Sequence, residues 1–167
     1  MSALRQFDRR RMVRQKTRSR FNKDIMSTTA EKQLWQWLKS AENAELPYAL
    51  HWQRIENRVK KNTPDVEGCY AGRAFTIELK SINKVYELRK KLTAGQAMFL
   101  YSRWRAGGRS WILIEVQGQR RYLIPGNKAI DLLYVKTEKE LGLYRVLNPT
   151  ARPIHVLEMV AFANADV

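Results

Sequence analysis

Apolar and polar residues alternate from Ala74 to Lys80. Phe75, Ile77 and Leu79 fall on one side and Thr76, Glu78 and Lys80 on the other, the period of a strand with one apolar face. Ser110–Val116 follows a different rule: a nearly continuous apolar run, as expected of a strand buried on both faces. Gly68 and Gly72 bracket a turn that folds the segment carrying Asp65 back beside the Ala74–Lys80 strand as a hairpin. Helical spacing appears twice. Ala30, Leu34, Trp37, Leu38 and Ala41 follow Thr28 and Glu31 at capping-box spacing, which predicts a helix starting near Ser27–Thr29. Ala94, Ala97, Met98, Tyr101 and Arg105 follow a second capping box, Thr93 and Gln96, with Leu92 at the staple position. Gly107-Gly108 ends that helix.

The remaining elements are shorter. Tyr48–Ile55 reads as a first strand, and Arg120–Ile124 as a hairpin arm entered through Gln117-Gly118-Gln119. Asn127–Leu133 predicts a short helix and Glu138–Leu141 a helical turn. Ile154–Phe162 fits either a strand or a helix, and either core or a dimer surface. No repeat, linker or shift in composition divides the chain. Residues 24–167 therefore read as a single domain and residues 1–23 as a basic N-terminal arm. The order helix, strand, hairpin, helix, strand, strand predicts an α/β fold with a mixed central sheet flanked by helices.

Charge changes this picture more than composition does. A hydrophobic fraction of 44% suits a folded domain, while the net charge of +15 calls for a polyanionic partner. Nucleic acid is the first candidate and an anionic membrane surface the second. Residues 1–23 hold Arg5, Arg9, Arg10, Arg11, Arg14, Lys16, Arg18, Arg20 and Lys23 against Asp8. Such an arm suits a phosphate backbone, where each neutralised phosphate releases counterions. No apolar run reaches the ~20 residues of a spanning helix, and the N-terminus lacks a signal-peptide core. The lone cysteine, Cys69, excludes an internal disulfide and a Cys-cluster zinc site, and His51 and His155 lie far apart. A bound metal would need oxygen ligands, and a reducing cytoplasm fits.

On the Ala74–Lys80 strand, Glu78 and Lys80 stand on one face about 6.7 Å apart, and the hairpin brings Asp65 beside Glu78. Two carboxylates and an ammonium are what a hard divalent cation and a phosphodiester require. The plainer alternative is a cross-strand ion pair on an exposed face, worth roughly 0.2–1 kcal/mol, with Asp65 capping a turn after Pro64. The basic stretches on both sides favour the phosphodiester. Arg58–Lys61, with Lys60 and Lys61, precedes Asp65. Ser81–Lys91, with Lys84, Arg89, Lys90 and Lys91, follows Lys80. Arg103, Arg105 and Arg109 extend the basic surface. Glu67 abuts Gly68 and is assigned to the turn, and His51 to the packing of its strand.

Pro64-Asp65 followed by Glu78-Leu79-Lys80 resembles the signature of the PD-(D/E)xK nucleases. Leu92-Thr93-Ala94-Gly95-Gln96, and Gly107-Gly108 before an apolar strand, are similar to the virus-type replication-repair nuclease branch and to related Holliday junction resolvases. The likeness covers about residues 27–117. It implies a restriction-endonuclease-like core and a Mg²⁺-dependent DNA endonuclease, with Mn²⁺ as a substitute ion. The substrate class implied is branched DNA, in recombination, repair or phage DNA processing. By the same resemblance Asp65, Glu78, the Leu79 carbonyl and Glu31 hold metal, Lys80 orients water or steadies the phosphorus centre, and Gln96 points into the site. Glu31 and Gln96 each also have a complete explanation as helix caps, and both readings stay open. The implied partners are DNA and a second copy of the chain, with no membrane and no small-molecule cofactor. The implied location is the cytoplasm of a bacterial or phage-infected cell. A rival from another class is a non-catalytic nucleic-acid binder in which Trp52, Trp104 and Tyr86 stack on bases.

Overall fold

In the computed structural model of the chain, residues 29–55 and 62–163 are described. Arg10, Arg11 and the rest of the basic arm, Thr28, and Lys60 and Lys61 lie outside them. Five strands form one sheet in sequential order: β1 (Leu50–Arg54), β2 (Val66–Tyr70), β3 (Arg73–Ile82), β4 (Arg109–Val116) and β5 (Arg120–Pro125). All neighbours are antiparallel except β3 and β4, which run parallel. A parallel pair needs a crossover, and the chain supplies one through α2 (Leu88–Lys91) and α3 (Ala94–Arg105). The sheet is therefore mixed, as the element order predicts.

Helices cover both faces. Residues 29–39 form α1, which joins α5 (Pro153–Phe162) against one face. There Leu34, Leu38, Val156, Leu157 and Val160 pack with Phe75, Ile77, Leu79, Trp111 and Leu113. On the other face Leu88, Leu92, Ala97 and Leu100, with Leu141 of α4 (Glu138–Gly142), pack with Ile112, Ile114, Val116 and Ile124. The alternation in β3 assigns Phe75, Ile77 and Leu79 to the first core. The unbroken apolar run of β4 serves both, so every residue from Ser110 to Val116 is buried.

The ambiguous stretch Ile154–Phe162 is a helix. Pro153 sits at its start, where a missing N–H costs nothing. Its apolar side is core, and the Trp111 indole N–H donates to the Val160 carbonyl at 3.2 Å. Asn127–Leu133 holds two 3₁₀ turns, Gly126–Lys128 and Asp131–Leu133, in place of one short helix.

The β2–β3 turn differs from the expectation. Ala71 and Gly72, at φ 52° and 74°, form the two-residue connection, the left-handed geometry of a tight hairpin. Gly68 lies inside β2 opposite Phe75. A Cβ there would come within 2.5 Å of the Phe75 ring, so this glycine permits close packing and makes no turn. Glu67 accordingly belongs to β2, where it is exposed.

Candidate active site

β2 and β3 pair from Tyr70↔Arg73 to Val66↔Ile77, and there the ladder stops. Pro64 has no N–H to continue it. One residue beyond the last pair, Asp65 lies across from Glu78. Its main-chain carbonyl accepts the Ile55 N–H at 2.8 Å, tying it to the end of β1. Its Oδ2 accepts the Leu79 N–H at 2.9 Å. A side chain thus satisfies a β3 donor that a strand would otherwise take. Leu79 contributes this main-chain donor to the cluster.

Glu78 and Lys80 are 1% and 6% exposed. The Lys80 ammonium donates to Glu78 Oε1 at 2.5 Å, and the Gln96 amide donates to the same oxygen at 2.6 Å. Glu78 Oε2 is buried without a hydrogen-bond partner. Burial pushes the Glu78 carboxyl up to about 7, opposed by Lys80 and reinforced by the negative Asp65 and Glu31. For Lys80, burial alone would depress the ammonium, but Glu78, Asp65 and Glu31 together outweigh it and hold its pKa above the ordinary lysine value. The exposed ion pair of the plainer reading is therefore absent. The polar side of β3 is closed over, and the small energies of surface pairs do not apply to it.

Gln96 meets both of its expected roles at once. The Gln96 N–H donates to Thr93 Oγ1 at 3.1 Å, and the Thr93 N–H donates to Gln96 Oε1 at 3.0 Å, closing the capping box of α3. With its carbonyl committed to the helix end, the amide nitrogen is left to face Glu78. Glu31, half-buried on α1, belongs to the same electrostatic cluster. Burial raises its pKa, as does Asp65, while Lys80, Lys91 and Arg54 oppose the rise. Among the described residues no group of three or more of His, Cys, Asp and Glu is arranged to hold a metal ion.

Among the basic candidates, Lys84, Arg89 and Lys90 are exposed on the segment leaving β3. Lys91 is half-buried, and its ammonium donates to the Ser81 carbonyl at 2.5 Å, a commitment to the fold. Trp52 and Trp104 are buried, the first donating to Glu42 and the second edge-on to Trp111. They are core residues, and of the three expected stacking aromatics only Tyr86 is exposed. His51 is exposed on β1.

One neighbour was not foreseen. A Cβ on Gly95 would lie 2.6 Å from the Asn62 side-chain amide, so Asn62, three residues before Asp65, rests directly on the first turn of α3. The glycine inside that capping box, Thr93-Ala94-Gly95-Gln96, was the signal available for such a close approach.

No protein-family model matches the chain, and no curated protein matches it. Among solved structures it is similar to a Holliday junction resolvase of Archaeoglobus fulgidus, an archaeal hyperthermophile. That similarity has 17% identity over 60% of this chain and 77% of the other, with a TM-score of 0.41. Function has to be read from this chain's own residues. No helix among the described residues is long and apolar enough to cross a membrane.

Proposed function

We propose that the protein is a divalent-metal-dependent DNA endonuclease of the PD-(D/E)xK type with a restriction-endonuclease-like core, selective for branched DNA such as a four-way junction. The observation that carries this reading is the meeting of Asp65, Glu78, Lys80 and Gln96 where β3 outruns β2. A structural ion pair would need no second carboxylate beside it, and no carboxyl driven up to about 7 by burial.

The residues fit a small hard cation. Asp65 and Glu78 offer only oxygen donors, Glu78 Oε2 is buried and unpartnered, and Mg²⁺ needs no more than one or two protein carboxylates. An added cation also opposes the burial and like-charge repulsion that disfavour ionised Glu78. Bound there, Mg²⁺ or Mn²⁺ would supply Lewis-acid activation of the phosphoryl oxygen and a lowered pKa for water.

The chain's own groups do the rest. Gln96 fixes the rotation of the Glu78 carboxylate through Oε1, which turns Oε2 away from the amide. Lys80 keeps its proton at neutral pH, so it serves as a compact cation that orients the attacking water and offsets charge growing on phosphorus. A role as general base would need a depressed pKa, and its surroundings raise it. Lys84, Arg89 and Lys90 supply phosphate contacts beside the site, carrying affinity without sequence preference. Two symmetric cuts in a junction call for two copies of the chain.

The test is a panel of labelled duplex, single-stranded, flap and four-way-junction DNA incubated with Mg²⁺ or with EDTA. Cleavage is expected only with the metal and best on branched DNA. Asp65→Asn and Glu78→Gln should retain binding and lose cleavage. DNA that is bound but uncut under every condition identifies a binding protein and overturns the enzyme reading.

A further inference from the structure

Gly95 is a residue that its own helix does not require. It lies in the first turn of α3 without a positive φ, so alanine could take the same backbone and would favour the helix more. What excludes alanine is a single side chain. The three atoms nearest to a Cβ on Gly95 all belong to Asn62: Nδ2 and Oδ1 at 2.6 Å and Cγ at 2.7 Å. The Asn62 amide is therefore seated on bare helix backbone. Local preference gives way here to one contact, a departure of the kind that collects at functional sites.

The fold makes no use of that amide. An asparagine at the start of a helix ordinarily caps it, but the Thr93–Gln96 capping box already closes α3. Asn62 is exposed, and its side chain makes no hydrogen bond among the described residues. The donors and the acceptor of a primary amide are thus left for another molecule. Their place is fixed from two sides. Asn62 stands three residues ahead of Asp65 on its own segment, and against the residue before Gln96, whose amide donates to Glu78 at 2.6 Å.

We infer that the Asn62 amide positions the DNA strand in the site by donating to a backbone phosphate next to the scissile one. The inference rests on the nuclease reading and adds to it a contact with substrate. Asp65, Glu78 and Lys80 act on phosphorus, so the parts of a bound strand nearest to them are its phosphates, and asparagine is among the side chains that donate to phosphate oxygens. Being neutral, Asn62 directs the strand and does not attract it. Attraction falls to the exposed Lys84, Arg89 and Lys90. The seat on Gly95 gives the amide a fixed place relative to Gln96, which a side chain standing free in solvent would lack.

The experiment compares the full chain with Asn62→Ala, Asn62→Asp, Gly95→Ala and Asn62→Ala/Gly95→Ala. Urea midpoints are recorded for each. Binding of a labelled four-way junction is followed by fluorescence anisotropy in EDTA over a range of salt, and its cleavage in Mg²⁺ under saturating protein. Asn62→Ala should cleave about 2–10-fold more slowly, the factor that one neutral hydrogen bond contributes. Its slope of log K against log salt should stay that of wild type, because no charge is lost. Gly95→Ala, which pushes the amide off its seat, should slow cleavage as much while its urea midpoint equals or exceeds that of wild type. The double variant should be no slower than either single one. Asn62→Asp should be the slowest, since it sets an anion against phosphate. Cleavage by Asn62→Ala at the wild-type rate, or losses that multiply in the double variant, would overturn the inference and leave the nuclease reading intact. So would a slower Asn62→Ala with a lower urea midpoint and Asn62→Asp no slower than it, a pattern that makes the residue a fold element. Wild-type protein that binds the junction and cuts no DNA overturns the nuclease reading, and this contact falls with it.

Discussion

Glu78→Gln should stabilise the apo protein at neutral pH. The folded carboxyl titrates at about 7 against an ordinary value of 4.5, and burial is the leading cause. A raised acid favours the folded state while protonated. That advantage is complete below 4.5 and is lost as pH climbs through about 7. A gap of this size corresponds to about 3 kcal/mol. Glutamine keeps the shape of the side chain, keeps an oxygen for Lys80 and Gln96, and removes the charge. The change removes the leading charge that acts on Lys80 and leaves Asp65 and Glu31, so the pH dependence of the difference between the two proteins carries the test. The assay is urea denaturation of wild type and variant in EDTA at several pH values from 4.5 to 8. The stability of the variant minus that of wild type should grow by about 3 kcal/mol across the range. The difference cancels titrations of groups that do not interact with Glu78. A difference that stays flat, or one in which wild type gains with rising pH, would show that Glu78 is held ionised by Lys80 and would sink the argument. Mg²⁺ should then narrow the gap at pH 8 by stabilising wild type more than the variant.

Two further outcomes follow from the same cluster. Lys80→Met removes the cation that, among the described residues, is hydrogen-bonded to Glu78; it should cost about 3–5 kcal/mol at pH 8 and much less at pH 5, where Glu78 is neutral, as denaturant midpoints at the two pH values will show. Thr93→Val deletes the oxygen that closes the α3 capping box; about 1 kcal/mol of stability should go, together with cleavage rate as Gln96 loses its fixed rotation, and Thr93→Ser should recover both.

The sheet was legible in the sequence because its signals are local. Alternation in β3, the apolar run of β4 and the Thr93–Gln96 capping box each depend on residues a few positions apart, and each survives folding unchanged. The placement of Asp65 beside Glu78 was legible for the same reason: a hairpin converts short spacing into cross-strand contact. The misread turn shows where this fails. Gly68 and Gly72 look alike in sequence, yet one admits the Phe75 ring and the other adopts a left-handed backbone. Only the partner strand distinguishes the two uses of glycine. Burial of the polar side of β3 was equally hidden, since alternation marks Thr76, Glu78 and Lys80 as the polar side without saying that α3 covers it. Trp52 and Trp104 passed for stacking residues because an aromatic among polar neighbours carries no mark of depth.

Asp65 divides its carboxylate between two tasks. One oxygen is spent on the Leu79 N–H, so the group cannot swing, and the other has no hydrogen bond among the described residues. In the proposed metal site, folding would therefore immobilise this carboxylate before any ion arrives. A preorganised oxygen of this kind spares the encounter the entropy of freezing a rotamer, and it sets the width of the mouth in advance, which favours small, rigidly coordinated ions over larger, more adaptable ones.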